Sequence, residues 1–125
     1  MSIKAIDHFH PQTLSALLAQ FCVTPHNELS QRWLLLEAAH VVGQMRFLPH
    51  LRVHALMLHF AWTTRDWREV AGQVMRLMLV PLGHALGRFP IGNPGRSNIS
   101  AFQPMPVRPD IAHAIAMARQ EAPGT

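Results

Sequence analysis

Glu37-Ala38-Ala39-His40-Val41-Val42-Gly43 runs through Gln44-Met45-Arg46-Phe47-Leu48 into Pro49-His50-Leu51-Arg52-Val53-His54. Two helical patterns meet at that proline. Upstream, Leu29, Trp33, Leu36, His40 and Gly43 share one stripe, widened by Leu34, Leu35, Val41 and Val42. The spacing predicts a helix over 25–46, buried on most sides, with Pro25 in its first turn after Thr24. Downstream, Pro49 opens a helix over 49–62 that carries His50, His54, Met57, Leu58 and Ala61 on one face. A turn centred near Leu48 predicts an antiparallel hairpin. Residues equidistant from the turn then lie level, so His40 falls opposite position 55, beside His54, and Glu37 falls opposite Met57 and Leu58.

Working outward, Pro11 followed by Leu14, Leu17, Leu18 and Phe21 predicts a helix over 11–22, with Cys22 as a small buried hydrophobe. Asp66 and Glu69 have capping-box spacing for a helix over 67–80, whose apolar side is Val70, Val74, Leu77 and Met78. Pro81 ends or kinks it. Residues 89–109 hold Gly92, Gly95 and five prolines, so no regular helix forms there, yet Phe89, Ile91, Ile99, Phe102, Met105 and Val107 give the segment apolar surface. It reads as an extended strap packed over the helices. Asp110 then caps a short last helix, with Ile111, Ile115 and Ala118 on one side. The expected fold is all-α: a small antiparallel helical bundle of about four main helices, a Pro/Gly-rich C-terminal strap, and a short last helix, all in one domain over 1–125.

Composition narrows the function classes. Of 125 residues, 49% are hydrophobic and only 14% charged, which excludes a disordered chain and a coiled-coil rod. The formal charge of +4 comes from scattered arginines with no basic block, so no specific nucleic-acid binding is indicated. No apolar run approaches the roughly 20 residues of a membrane span. One cysteine excludes an internal disulfide and a thiolate zinc cage, and the N-terminal stretch lacks the apolar segment of a signal peptide. A cytoplasmic location is expected.

Nine histidines are the unusual feature. Glu37 and His40, three apart, share a helix face, as carboxylate and imidazole do in helix-bundle metal proteins. Opposite them lie His54 and, one turn nearer the connection, His50. Glu37, His40, His50 and His54 are therefore the candidate ligands for a zinc-like divalent transition metal. The competing interpretation makes Glu37 and His40 an ion pair and the histidines ordinary core residues. Di-iron chemistry lacks carboxylates, since only Glu37 and Glu69 fall near the bundle centre. His84 can approach the bundle end, His59 points elsewhere, and His8, His10, His26 and His113 are expected in solvent. Met45, Met57, Met75, Met78 and Met105 are expected to fill core gaps. Gly92-Asn93-Pro94-Gly95-Arg96-Ser97-Asn98 reads as a compact turn or an anion nest. With ordinary imidazole pKa values, metal affinity is expected to fall between about pH 7 and about pH 5.5.

Glu37-Ala-Ala-His40, Pro49-His50-Leu-Arg-Val-His54, Arg65-Asp66-Trp-Arg-Glu-Val70 with Gly72-Gln73, Pro81-Leu-Gly with Gly87-Arg88, and Gly92-Asn93-Pro-Gly95-Arg-Ser-Asn98 occur in that order. Together they resemble a small bacterial family of unknown function, domain of unknown function 3703, over about residues 30–110. The resemblance implies no reaction, and Glu37, His40, His50 and His54 match its recurring positions. The sequence therefore points to a small cytosolic metal-binding accessory protein. Its alternative is a non-catalytic, tetratricopeptide-like helical module with structural histidines and an unknown protein partner. An enzyme with water on an open metal position ranks third.

Overall fold

Helix capping and proline placement decide where the elements begin and end in the computed structural model, which describes residues 9–101 and 103–121. Five helices result: α1 Pro11–Val23, α2 Leu29–Gly43, α3 Phe47–Thr63, α4 Trp67–Leu86 and α5 Pro109–Glu121. No strand occurs among the described residues.

Three boundaries differ from expectation for local reasons. Pro25 does not start α2, because Thr24 is extended and Glu28 N–H closes a turn on Pro25 O. Buried Arg32 holds this corner, donating to Phe21 O at 2.9 Å and Thr24 O at 2.8 Å, so a cation satisfies the carboxyl end of α1. α3 starts two residues before Pro49, whose missing N–H falls in a first turn where no helical bond is lost. α4 runs through Pro81, which is exposed, and ends at Gly87 (φ 67°). There the N–H groups of Gly87 and Arg88 fold back onto His84 O and Gly83 O. The last helix is not short: at 13 residues it equals α1.

The core is built by α1 (Leu14, Leu17, Leu18, Phe21), α2 (Trp33, Leu35, Leu36, Ala38, Ala39, Val42), α3 (Val53, Met57, Phe60, Ala61) and α5 (Ile111, Ala118). Helix α2 is central and packs against α1, α3 and α5, while α4 packs against α3. Burying each large aliphatic side chain contributes about 1.5–3 kcal/mol. Phe60 meets the Phe21 ring edge-on at 5.6 Å and lies 4.9 Å from the Trp33 ring, joining three helices.

Helix α4 reverses the expected pattern. Its buried stripe is Glu69, Gln73, Arg76, Val80 and Gly83, whereas Val74, Met75, Met78, Leu82 and Leu86 are exposed. The core-filling expectation therefore fails for Met75 and Met78 but holds for Met57. Cys22 is also exposed, so it is not the buried hydrophobe expected. α4 turns its polar side inward because that side carries the partners of the strap and of the α3 histidines.

Over its described residues the segment between α4 and α5 lies against α2 and α4; Phe102 is outside them. Asn93 is buried, and its amide donates to Ser100 O at 2.8 Å and Gln103 O at 3.0 Å. Met105 N–H bonds Ile91 O at 2.9 Å. The Gln44 amide is placed to donate to Pro90 O and accept from Gly92 N–H. Glycine is needed at Gly72, where a Cβ would lie 2.1 Å from the Ser97 Cβ, because the strap presses directly on α4.

Candidate metal centre

The α2–α3 connection is only Gln44-Met45-Arg46, so α3 returns alongside α2 and brings His50 and His54 to His40. All three imidazoles are buried. His50 Nε2 lies 3.1 Å from His40 Nε2 and 3.2 Å from His54 Nε2. Tetrahedral bonds of 2.0–2.1 Å to one zinc-sized ion put donor nitrogens about 3.3 Å apart. The two separations from His50 fit such an ion, and the ligand atoms of all three rings lie within 4.8 Å of one another.

The outer nitrogens define the tautomers. His40 Nδ1 lies 2.6 Å from Asn93 O, which can only accept, so His40 Nδ1–H donates and its Nε2 lone pair faces the cluster. His54 Nδ1 donates to Gln73 Oε1 at 2.7 Å, since the Gln73 amide nitrogen is committed to Glu69 Oε2 at 2.9 Å and Gly95 O at 3.0 Å. His54 Nε2 is therefore a second inward lone pair. His50 Nδ1 lies 3.0 Å from His84 Nε2. If it donates there, three lone pairs converge, an arrangement that repels itself without a cation between them. If instead His50 carries its proton on Nε2, that proton serves only one of two waiting acceptors well.

Protonation does not relieve this. Burial, aided by the neighbouring His54 and His50, holds His40 well below the ordinary imidazole pKa. Burial with His54 and His84 pushes His50 down to about 3. Burial, aided by Arg76, brings His54 to about 4 despite the Gln73 bond. The imidazoles are neutral at physiological pH, the form that coordinates metals.

Each ring is held by a support outside the cluster. The support for His54 extends from Gln73 to Glu69, which also accepts from Ser97 N–H at 2.8 Å and Arg96 Nε at 3.1 Å. Burial alone would raise the Glu69 pKa, but these bonds together lower it. Glu69 N–H bonds Asp66 Oδ1, while its side chain turns inward, so only half of the expected capping box forms. The His40 support is the strap: Asn93 accepts its proton, and Gly95 (φ 89°) lies so close that a Cβ would fall 2.5 Å from His40 Cδ2. The 92–98 turn is thus a roof on His40. Its Gly95 and Ser97 N–H groups are taken by Asn93 Oδ1 and Glu69 Oε2, which leaves no anion nest.

Glu37 does not join the histidines. Its Oε2 is 2.8 Å from Arg108 Nη2 and its Oε1 is 4.0 Å from Arg96 Nη1. Arg108 is also doubly bonded to Asp110, and Arg96 stacks 3.9 Å over Trp33. Burial raises the Glu37 pKa against the pull of both arginines. Of the four sequence-derived candidates, His40, His50 and His54 converge, and Glu37 faces arginine.

A small cleft of about 20 Å³ opens beside the cluster, lined by His50, His54, His84, Arg76 and Arg88 among others. It has room for about one water-sized group. His84 reaches this cleft because α4 continues past Pro81, and Phe47 and Phe89 flank its ring. His26 and His113 are exposed, as expected, and His59 is exposed too; His10 is half-buried rather than in solvent, and His8 lies outside the described residues.

Residues 11–115 match the family described as protein of unknown function (DUF3703). The chain belongs to that family. No curated protein and no solved structure matches it. In this DUF3703 chain, sequence reasoning missed Gln73, Asn93, Gly95 and Glu69 as supports of the cluster. A signal was present: Glu69 and Gln73 are one helical turn apart, and both glycine-rich motifs pair small residues with amide side chains. Nothing in the spacing, however, indicated which helix the turn would cover.

Proposed function

We propose that this DUF3703 protein binds one zinc-like divalent transition metal through the Nε2 atoms of His40, His50 and His54, with Glu37 serving the arginine pair. The observation that carries this reading is the convergence of buried nitrogens whose opposite ring atoms all have partners: Asn93 O, His84 Nε2 and Gln73 Oε1. A core histidine kept only for packing satisfies both nitrogens. Here the inner ones meet only each other, and a cation resolves that. Binding would leave His50 protonated at Nδ1, donating to His84. The helices are read as an antiparallel bundle in one domain, since the α2–α3 and α3–α4 connections are three residues each. We read the protein as cytoplasmic and bacterial. Calorimetric titration of tag-free protein with Zn²⁺ and Co²⁺ tests the proposal. A single saturable site is expected, and no heat or stoichiometry above background would overturn it.

The exposed apolar side of α4 favours a second reading, a helical interaction module with structural histidines and an unknown protein partner. Under it, His40→Ala would change stability only, and the titration would show no site.

A further inference from the structure

We propose that the fourth position of this centre takes a small monovalent anion from solution, captured through the cleft by Arg88; the inference rests on the three-histidine metal reading. Charge comes first. Three neutral imidazoles bring no compensation, so a divalent ion would keep its full charge in a buried site. Among the described residues no carboxylate joins the cluster. Glu69 stands behind Gln73 and already faces Arg96, and Glu37 faces Arg108. Arg76 beside the site adds positive charge rather than removing it.

Access comes second. The cleft reaches His50 and His54, and Leu79, Val80, Pro90 and Ala101 give it apolar walls that limit screening. The cleft is narrow but open, which favours a slim anion entering end-on, with its donor atom in the water-sized space, over carboxylate metabolites or phosphates. The two cleft arginines then divide the work. Arg76 gives both terminal nitrogens to carbonyls, Gly72 O and Ile99 O, so it supplies field only. Arg88 is exposed at the mouth, and its guanidinium has no hydrogen bond or ion pair among the described residues. It is the free donor for an arriving anion.

The test uses tag-free protein loaded with Co²⁺, titrated with sodium azide at constant ionic strength and followed by visible absorption. A saturable one-site spectral change is expected. Arg88→Ala should weaken azide by about tenfold or more while Co²⁺ affinity stays within about twofold. Arg52→Ala, an exposed α3 arginine outside the cleft, should leave azide binding unchanged. No spectral response from fully loaded protein, or equal azide affinity in Arg88→Ala and the parent, overturns the proposal and leaves the metal centre standing. Failure to bind Co²⁺ overturns both.

Discussion

Glu37 and His40 sit one turn apart on α2 and are equally buried, yet they belong to two different polar interiors. Around Glu37 everything is charged and compensated: two arginines reach it, and one of them is shared with Asp110. Around His40 the direct partners are neutral and mutually frustrated: three imidazoles face each other, with supports only on their outer nitrogens and the charge of Arg76 nearby. A buried carboxylate draws in cations from distant segments, because leaving it alone is costly. A buried imidazole lowers its pKa instead and stays neutral. Equal burial thus produces a finished ion pair in one place and a cluster of neutral imidazoles in the other.

Acid should separate the two regions most strongly. The folded-state pKa values of His50 and His54 are lowered to about 3 and about 4, and that of His40 is lowered as well. Below about pH 6.5 the unfolded chain takes up protons that the folded chain refuses, so stability falls with pH. Each histidine loses about 1.4 kcal/mol between about pH 7.5 and about pH 5.5, and the three together about 4 kcal/mol. Glu37 works in the opposite sense. Its raised pKa means its contribution is fully present below the unfolded value and declines as pH rises through the folded one. Urea midpoints measured in steps of pH check this. A flat profile in metal-free protein would show that the cluster is not buried neutral. The affinity loss expected from ordinary imidazole pKa values should then coincide with unfolding rather than precede it.

Ligand removal comes next. His40→Ala and His54→Ala should each weaken Zn²⁺ by at least about 100-fold, more than the 10- to 100-fold typical of losing a support. Glu37→Gln should change Zn²⁺ affinity by less than about threefold and lower stability by about 1–3 kcal/mol, since half-exposed Arg108 loses its partner to solvent rather than to the core. Calorimetry and denaturant melts on the same samples distinguish these outcomes. A Glu37→Gln variant that loses metal as His40→Ala does would merge the two interiors into one.

Gly95→Ala should cost about 2 kcal/mol through its positive φ and should also displace the His40 ring. Gln73→Leu removes the acceptor for His54 Nδ1 and should cost Zn²⁺ about tenfold in affinity. The smallest effect belongs to the exposed histidines: His59→Ala and His113→Ala should leave Zn²⁺ affinity unchanged within titration error. Equal losses there would indicate diffuse uptake by a histidine-rich surface.

Much of this arrangement was legible in the sequence because it is local. Helical spacing around Leu14–Phe21 and at Met57 and Ala61 located core faces, though it missed Val53 and Phe60, and the level pairing of α2 with α3 anticipated the meeting of His40 and His54. What escaped reading depends on segments far apart in the chain. Arg96 and Arg108 claim Glu37 from the other end of the sequence, and no periodicity carries that information. The inverted α4 misled for a related reason. Val74 and Met78 share an apolar stripe at helical spacing, yet Gln73 and Glu69 are the residues with partners waiting inside. Proline also misled: a turn separates Pro25 from the start of α2, α3 begins two residues before Pro49, and α4 continues through Pro81 to Leu86 rather than ending there.

If the centre takes a metal, the roof over His40 would also govern timing. Gly95 lies against the ring and Asn93 is fully enclosed, so the strap face admits nothing. On the other side, the cleft beside His50 and His54 is small, with room for about one water-sized group. An ion held inside would leave one bare particle at a time, and a bulky chelator in solution would wait for it rather than extract it. Release should then proceed at a rate independent of chelator concentration, with a residence time that the strap's anchors at Gly72 and Gln44 lengthen or shorten.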